Sequence, residues 1–93
     1  MKERREAHVV VSGKVQGVFF RASTREVASG CGVRGYVRNL PDRRVEAVLQ
    51  GEPAAVERVI AFMSEGPPGA LVTEIRVDWR ALSADFPEFD VRR

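Results

Sequence analysis

Two helical stripes, set apart by runs of strand character, constrain this chain more than any other feature. Phe20, Thr24, Val27, Ala28 and Cys31 fall at i, i+4, i+7, i+8 and i+11, one face of a helix running from Arg21 to about Cys31. Gly30 and Gly32 stop it. Val56, Val59, Ile60 and Met63 form a second stripe, opened by Gly51-Glu52-Pro53 and broken by Gly66-Pro67-Pro68-Gly69. Each stripe needs an apolar surface to cover it. A chain of 93 residues makes one domain, so both stripes must share that surface.

The rest of the chain supplies a sheet. Ala7 to Val15 carries the β-branched run Val9-Val10-Val11 and is bounded by Gly13 and Gly17, which reads as a central strand. Val33, Gly35 and Val37 alternate with Arg34, Tyr36 and Arg38 as far as Asn39. Val45, Ala47 and Leu49 alternate with Glu46, Val48 and Gln50. Leu40-Pro41-Asp42-Arg43 between these runs is turn-like and makes them a hairpin. Leu71, Thr73, Ile75, Val77 and Trp79 alternate with Glu74, Arg76, Asp78 and Arg80 as a fourth strand. Phe86, Phe89 and Val91 form a short fifth element, with Pro87 favouring an edge. The order β-α-β-β-α-β plus a tail strand predicts a ferredoxin-like α+β sandwich. Its sheet is antiparallel, its first and third strands are central, and both helices cover one face. Residues 1–93 are expected to be a single, complete domain, with 1–6 as a flexible N-terminal tail.

Charge and composition narrow the partners. A net charge of +2 gives little electrostatic reason to bind nucleic acid. The single cysteine, Cys31, excludes an intrachain disulfide and fits a reducing, cytoplasmic setting. Val9 to Val11 is too short for a signal peptide or a membrane span. The lone histidine, His8, reads as a partly exposed strand residue, and no compact cluster of His, Cys, Asp and Glu offers a metal site. Cys31 reads as a buried small hydrophobe, and Trp79 with the Phe86–Phe89 pair as core or edge cover. The pairs Arg4-Arg5 and Arg92-Arg93 read as solvated, mobile ends.

The stretch from Gly13 to Arg21 carries the chemistry. It is a strand end, a glycine-bearing turn and an arginine at the start of a helix. Gly17 permits backbone angles that aim successive N–H groups inward. A helix N-terminus adds partial positive charge, and Arg21 adds a full charge with a two-pronged donor fork. Together these suit a phosphate dianion. On spacing alone the stretch reads first as a strand-to-helix turn with a surface arginine. It is neither a nucleotide P-loop nor a dinucleotide fingerprint.

Gly13, Val15, Gly17, Val18, Phe20 and Arg21 fit G-x-V-x-G-V-x-F-R, and the chain thereby resembles the acylphosphatases, small hydrolases of carboxyl phosphates. Gln16 is a common variant within that loop. The family's G-x-V-x-N strand end appears as Gly35-Tyr36-Val37-Arg38-Asn39, and its G-P-x-x-A-x-V as Gly66-Pro67-Pro68-Gly69-Ala70-Leu71-Val72. A third motif, G-x-V-E, is only partly met by Arg44-Val45-Glu46-Ala47. Asp42-Arg43 replaces the usual Asp-Gly of the hairpin, which touches the turn geometry. Tyr36 stands where tryptophan is frequent.

The resemblance implies hydrolysis of acyl phosphates by a monomer, without metal or cofactor. The loop Val15, Gln16, Gly17, Val18, Phe19, Phe20 and Arg21 would bind the phosphoryl group, through the N–H groups of residues 16–20 and the Arg21 side chain. Asn39, otherwise a strand-ending turn residue, would hold the attacking water through its side-chain amide.

The rival reading is a binding module on the same fold. Arg34-Gly35-Tyr36 imitates the opening of an RNA-recognition signature, but Val37-Arg38-Asn39 breaks it, and it lies on the second strand instead of the third. A small-ligand regulatory domain is the other alternative, expected as part of a larger enzyme.

Overall fold

The computed structural model describes residues 3–92. Its elements are β1 (Arg5–Lys14), α1 (Phe20–Gly30), β2 (Arg34–Asn39), β3 (Val45–Gly51), α2 (Pro53–Glu65), β4 (Leu71–Arg80) and β5 (Phe89–Arg92). The sheet order is β4-β1-β3-β2-β5, so the first and third strands are internal as expected. Val9 pairs with Ala47 and Val77, and Ala47 pairs in turn with Val37. Such rows build an apolar sheet face, on which Phe20, Ala28, Val56, Val59 and Met63 of the helices are buried. Val27, Ile60 and Cys31 are only half-buried at the margin of this core. Cys31, expected to be buried, follows the last turn of α1, where its N–H donates to Val27 and Ala28 carbonyls.

The sheet is mixed, which corrects the antiparallel expectation: β5 runs parallel to β2, with Val37 opposite Val91. The cause is the connection, residues 81–88. It crosses the open face of the sheet near the end where β4 stops, so β5 must set out from that same end. The crossing covers two polar side chains completely. Glu6 accepts hydrogen bonds from Gln50, Ser83 and Arg80, and Gln50 also donates to the Ala84 carbonyl at 2.6 Å. Glu6 and Gln50 are therefore buried but satisfied.

Arg5 and Glu6 thus belong to β1 and correct the expected tail of residues 1–6; Met1 and Lys2 lie outside the described residues. Arg4, Arg5 and Arg92 are not free ends. Arg4 meets Asp85 at 3.5 Å, Arg5 lies 5.8 Å from the Trp79 ring centroid, and Arg92 lies 4.0 Å from that of Tyr36. Arg93 lies outside the described residues.

A second difference lies in β4. The register slips between Ser12 and Gly13, where Thr73 is the extra residue on the facing strand. The bulge turns β4 over. Ile75 and Trp79 face the core, but beyond the bulge Val72 takes the inner side and Leu71 is exposed. Gly13 sits at this point with φ +120, where a Cβ would run into the Leu71 carbonyl.

Candidate active site

β1 delivers the chain to one end of the sheet, and α1 takes it away again. The five residues between must reverse direction, and two of them do so with left-handed backbone. Gly17 has φ 74, and Phe19, the residue capping α1, has φ 60 and ψ 28. Val15 and Phe20 are buried and pin the loop at both ends. Among the described residues, the backbone N–H groups of residues 16–20 donate to no protein acceptor. They surround the N-terminus of α1, whose first turn contains no acidic residue. The result is a concave cluster of donors in a positive field.

A cleft of about 350 Å³ opens there, lined by the loop together with Arg21, Ala22, Asn39 and Val91. It joins residues from three elements. Arg21 is the second residue of α1, Asn39 the last of β2, and Val91 belongs to β5. Arg21 donates through Nη1 to the main-chain carbonyl of Arg92 at 3.0 Å. Asn39 is half-buried, on the helix-covered side of the sheet opposite Val45. Its side-chain amide has no hydrogen-bond partner among the described residues, which leaves both ends free for a ligand.

Of the residues expected to bind phosphate, Val15, Gln16, Gly17, Phe19, Phe20 and Arg21 line the cleft directly. Val18 does not: its side chain packs on the core, and its contribution to the loop is main-chain. Gln16 does more than its backbone suggests. Its Nε2 donates to the carbonyls of Leu40 and Arg44, each at 3.1 Å, and so ties the loop to the β2–β3 hairpin. The Arg92 carbonyl is the other contributor that sequence reasoning missed. Nothing in the pattern of either segment signals these contacts, which exist only once β5 and the hairpin are in place.

The hairpin keeps its form without the usual glycine. Arg43 takes φ 74 itself and donates to the Leu40 carbonyl at 3.1 Å, while Leu40 donates to Arg44 at 2.8 Å. An L-residue there costs about 1–2 kcal/mol. Asp42 offsets part of that by accepting from the Arg44 N–H at 3.2 Å and its Nε at 2.7 Å. The Arg44 N–H, and then its guanidinium, hold the Asp42 carboxyl below its usual pKa.

His8 lies away from the cleft on the open sheet face, half-buried, with Nε2 2.7 Å from Glu46 Oε2. Among the described residues, no group of three or more His, Cys, Asp and Glu side chains is placed to hold a metal ion. Among the described residues, no helix is long and apolar enough to cross a membrane.

Comparison with known proteins shows what the whole chain is similar to. A model of the acylphosphatase family matches residues 7–91. The chain is 56% identical over 87 residues to the acylphosphatase of Gloeobacter violaceus, an alignment covering 94% of this chain and 92% of that one. It is 51% identical over 90 residues to the acylphosphatase of Pyrobaculum islandicum, covering 96% and 95% respectively. The structure of an acylphosphatase from Coxiella burnetii superposes with a TM-score of 0.91 at 39% identity, over 96% of this chain and 93% of that one.

Proposed function

This chain belongs to the acylphosphatase family and is an enzyme of acyl phosphate hydrolysis; from that premise we propose that it works by positioning and charge alone, with neither metal nor cofactor. The phosphoryl group sits in the loop of residues 15–21. Its oxygens accept from the N–H groups of residues 16–20 and from the Arg21 guanidinium. The Asn39 side chain holds a water in line with the departing carboxylate. The water oxygen attacks phosphorus, the bond from phosphorus to the acyl oxygen breaks, and the carboxylate leaves with the bonding pair. A phosphoryl oxygen takes the water's proton.

The chemistry makes few demands on the protein. A carboxylate is a stable leaving anion, so no general acid is needed to protonate it. What remains is to hold charge as it shifts in the transition state, which preorganised donors do well. The observation that carries this reading is the convergence on one cleft of unbonded loop N–H groups, a guanidinium and an unpartnered amide. All of these come from one chain, so a monomer suffices. A single half-buried cysteine suits the reducing cytoplasm.

The test is release of inorganic phosphate from benzoyl phosphate, with and without EDTA. Turnover unchanged by chelator is the expected result. Turnover lost in EDTA and restored by magnesium or zinc would overturn the metal-free mechanism.

A further inference from the structure

We propose that Phe19 is a specificity residue, whose ring receives the acyl group of the substrate and favours aromatic or bulky apolar acyl phosphates over acetyl phosphate. The inference rests on the acyl phosphate reading above and goes beyond it by naming the substrate class.

An exposed phenylalanine alone means nothing, since single apolar side chains are common on protein surfaces. Phe19 is unusual in three respects at once. Its side chain is 82% exposed, the most of any large apolar residue described. Its backbone is held at φ 60, a region that glycine or asparagine occupies with less strain. It also lines the cleft beside Arg21. Stability accounts for neither the residue type nor its exposure, and strain of this kind collects at functional sites.

The geometry of the cleft gives the ring a task. With the phosphoryl group in the N–H cradle, the acyl group must project towards solvent, because the inner end is closed by the buried Val15 and Phe20. The acyl group is the uncharged part of the substrate. Phe19 is the large apolar surface that the cleft leaves open to it; Val91 is half-buried. The residue also caps α1, so the backbone beneath the ring is fixed by the helix it starts. A ring so held loses little freedom on contact, and an aromatic partner can stack on it or meet its edge.

The test compares kcat and KM for benzoyl phosphate and acetyl phosphate in the wild type, Phe19→Asn and Phe19→Trp. Asparagine tolerates the left-handed backbone, and acetyl phosphate reports whatever the change does to the loop itself. The wild type should favour benzoyl phosphate in kcat/KM. Phe19→Asn should reduce that preference about three- to tenfold, the worth of one aromatic pair. The loss should fall on the benzoyl KM, because the contact is remote from the breaking bond and equal in ground and transition states. Phe19→Trp should retain the preference. An active Phe19→Asn enzyme with an unaltered substrate ratio would overturn this inference and leave the proposed function standing. A wild type that hydrolyses neither substrate would overturn both.

Discussion

Arg21 is held in place by the backbone of Arg92: its Nη1 donates to that carbonyl at 3.0 Å, across 71 positions of sequence. The last strand thus reaches the first turn of the first helix. Arg92 is itself secured on the other face of the sheet, its guanidinium lying 4.0 Å from the Tyr36 ring centroid and 5.7 Å from that of Phe86. Deleting residues 90–93 should lower kcat/KM roughly tenfold, the worth of one hydrogen bond to a charged group. Steady-state kinetics would measure this, with circular dichroism to establish that the truncated chain folds. Unchanged kinetics would show that Arg21 needs no such support.

Arg21 and Asn39 should separate cleanly in kinetics. Asn39→Ala should leave competitive inhibition by phosphate nearly intact and reduce kcat about a hundred- to a thousandfold, the usual cost of losing one preorganised group. Arg21→Ala should weaken phosphate inhibition as well. Arg21→Lys should be nearly inactive, because an ammonium keeps the charge but loses the planar fork. An equal rise in the phosphate inhibition constant for Asn39→Ala and Arg21→Ala would contradict the assigned roles.

The core predicts a contrast within one helix. Met63 is fully buried and Ile60 is half-buried, both on α2. Met63→Ala should cost about 2–5 kcal/mol in urea unfolding, whereas Ile60→Ala should fall below that range, about 1–2 kcal/mol. Equal losses would mean that the helix turns a different face to the sheet.

Acid should loosen the strap formed by residues 81–88. Burial alone would raise the Glu6 carboxyl, but hydrogen bonds from Gln50, Arg80 and Ser83 outweigh it and hold its pKa below the usual 4.5. A group with a lower pKa folded than unfolded contributes stability above its unfolded value. That contribution is lost as the pH falls through the folded value. Stability should therefore decline from about pH 4.5 downward. Glu6→Gln should lower stability at neutral pH and flatten the acid limb. Denaturant midpoints measured across that range would show it, and a parallel decline in both proteins would exclude Glu6 as a source.

How much of this was legible follows from the range of each signal. The helices announce themselves through a period of 3.6, β2 to β4 through a period of 2 and β1 through its β-branched run, all of them local signals. The central place of β1 follows from its apolar run, and that of β3 from the ferredoxin-like order of elements. The parallel direction of β5 was not legible, because it depends on where residues 81–88 cross the sheet. Nor was the reversal in β4, where a single bulged residue exchanges Leu71 for Val72. The loop of residues 15–21 could be read because all its parts adjoin in sequence. Asn39 stood out only through resemblance, since an asparagine ending a strand is an ordinary turn residue. The contacts of Gln16 with Leu40 and Arg44 span 24 and 28 positions, and no local pattern encodes them.

That amide has a mechanical consequence. Leu40 follows Asn39 directly, so on the proposed roles a single side chain gauges the spacing between the cradle of the phosphoryl group and the holder of the water. The core holds the loop only at its ends, through Val15 and Phe20, and between them Gln16 ties it to the hairpin. Glutamate at position 16 would face two carbonyl oxygens with no proton to offer and would bring a second anion beside the phosphate. On the proposed roles, nucleophile and electrophile would drift apart while every group meant to act on them remained intact.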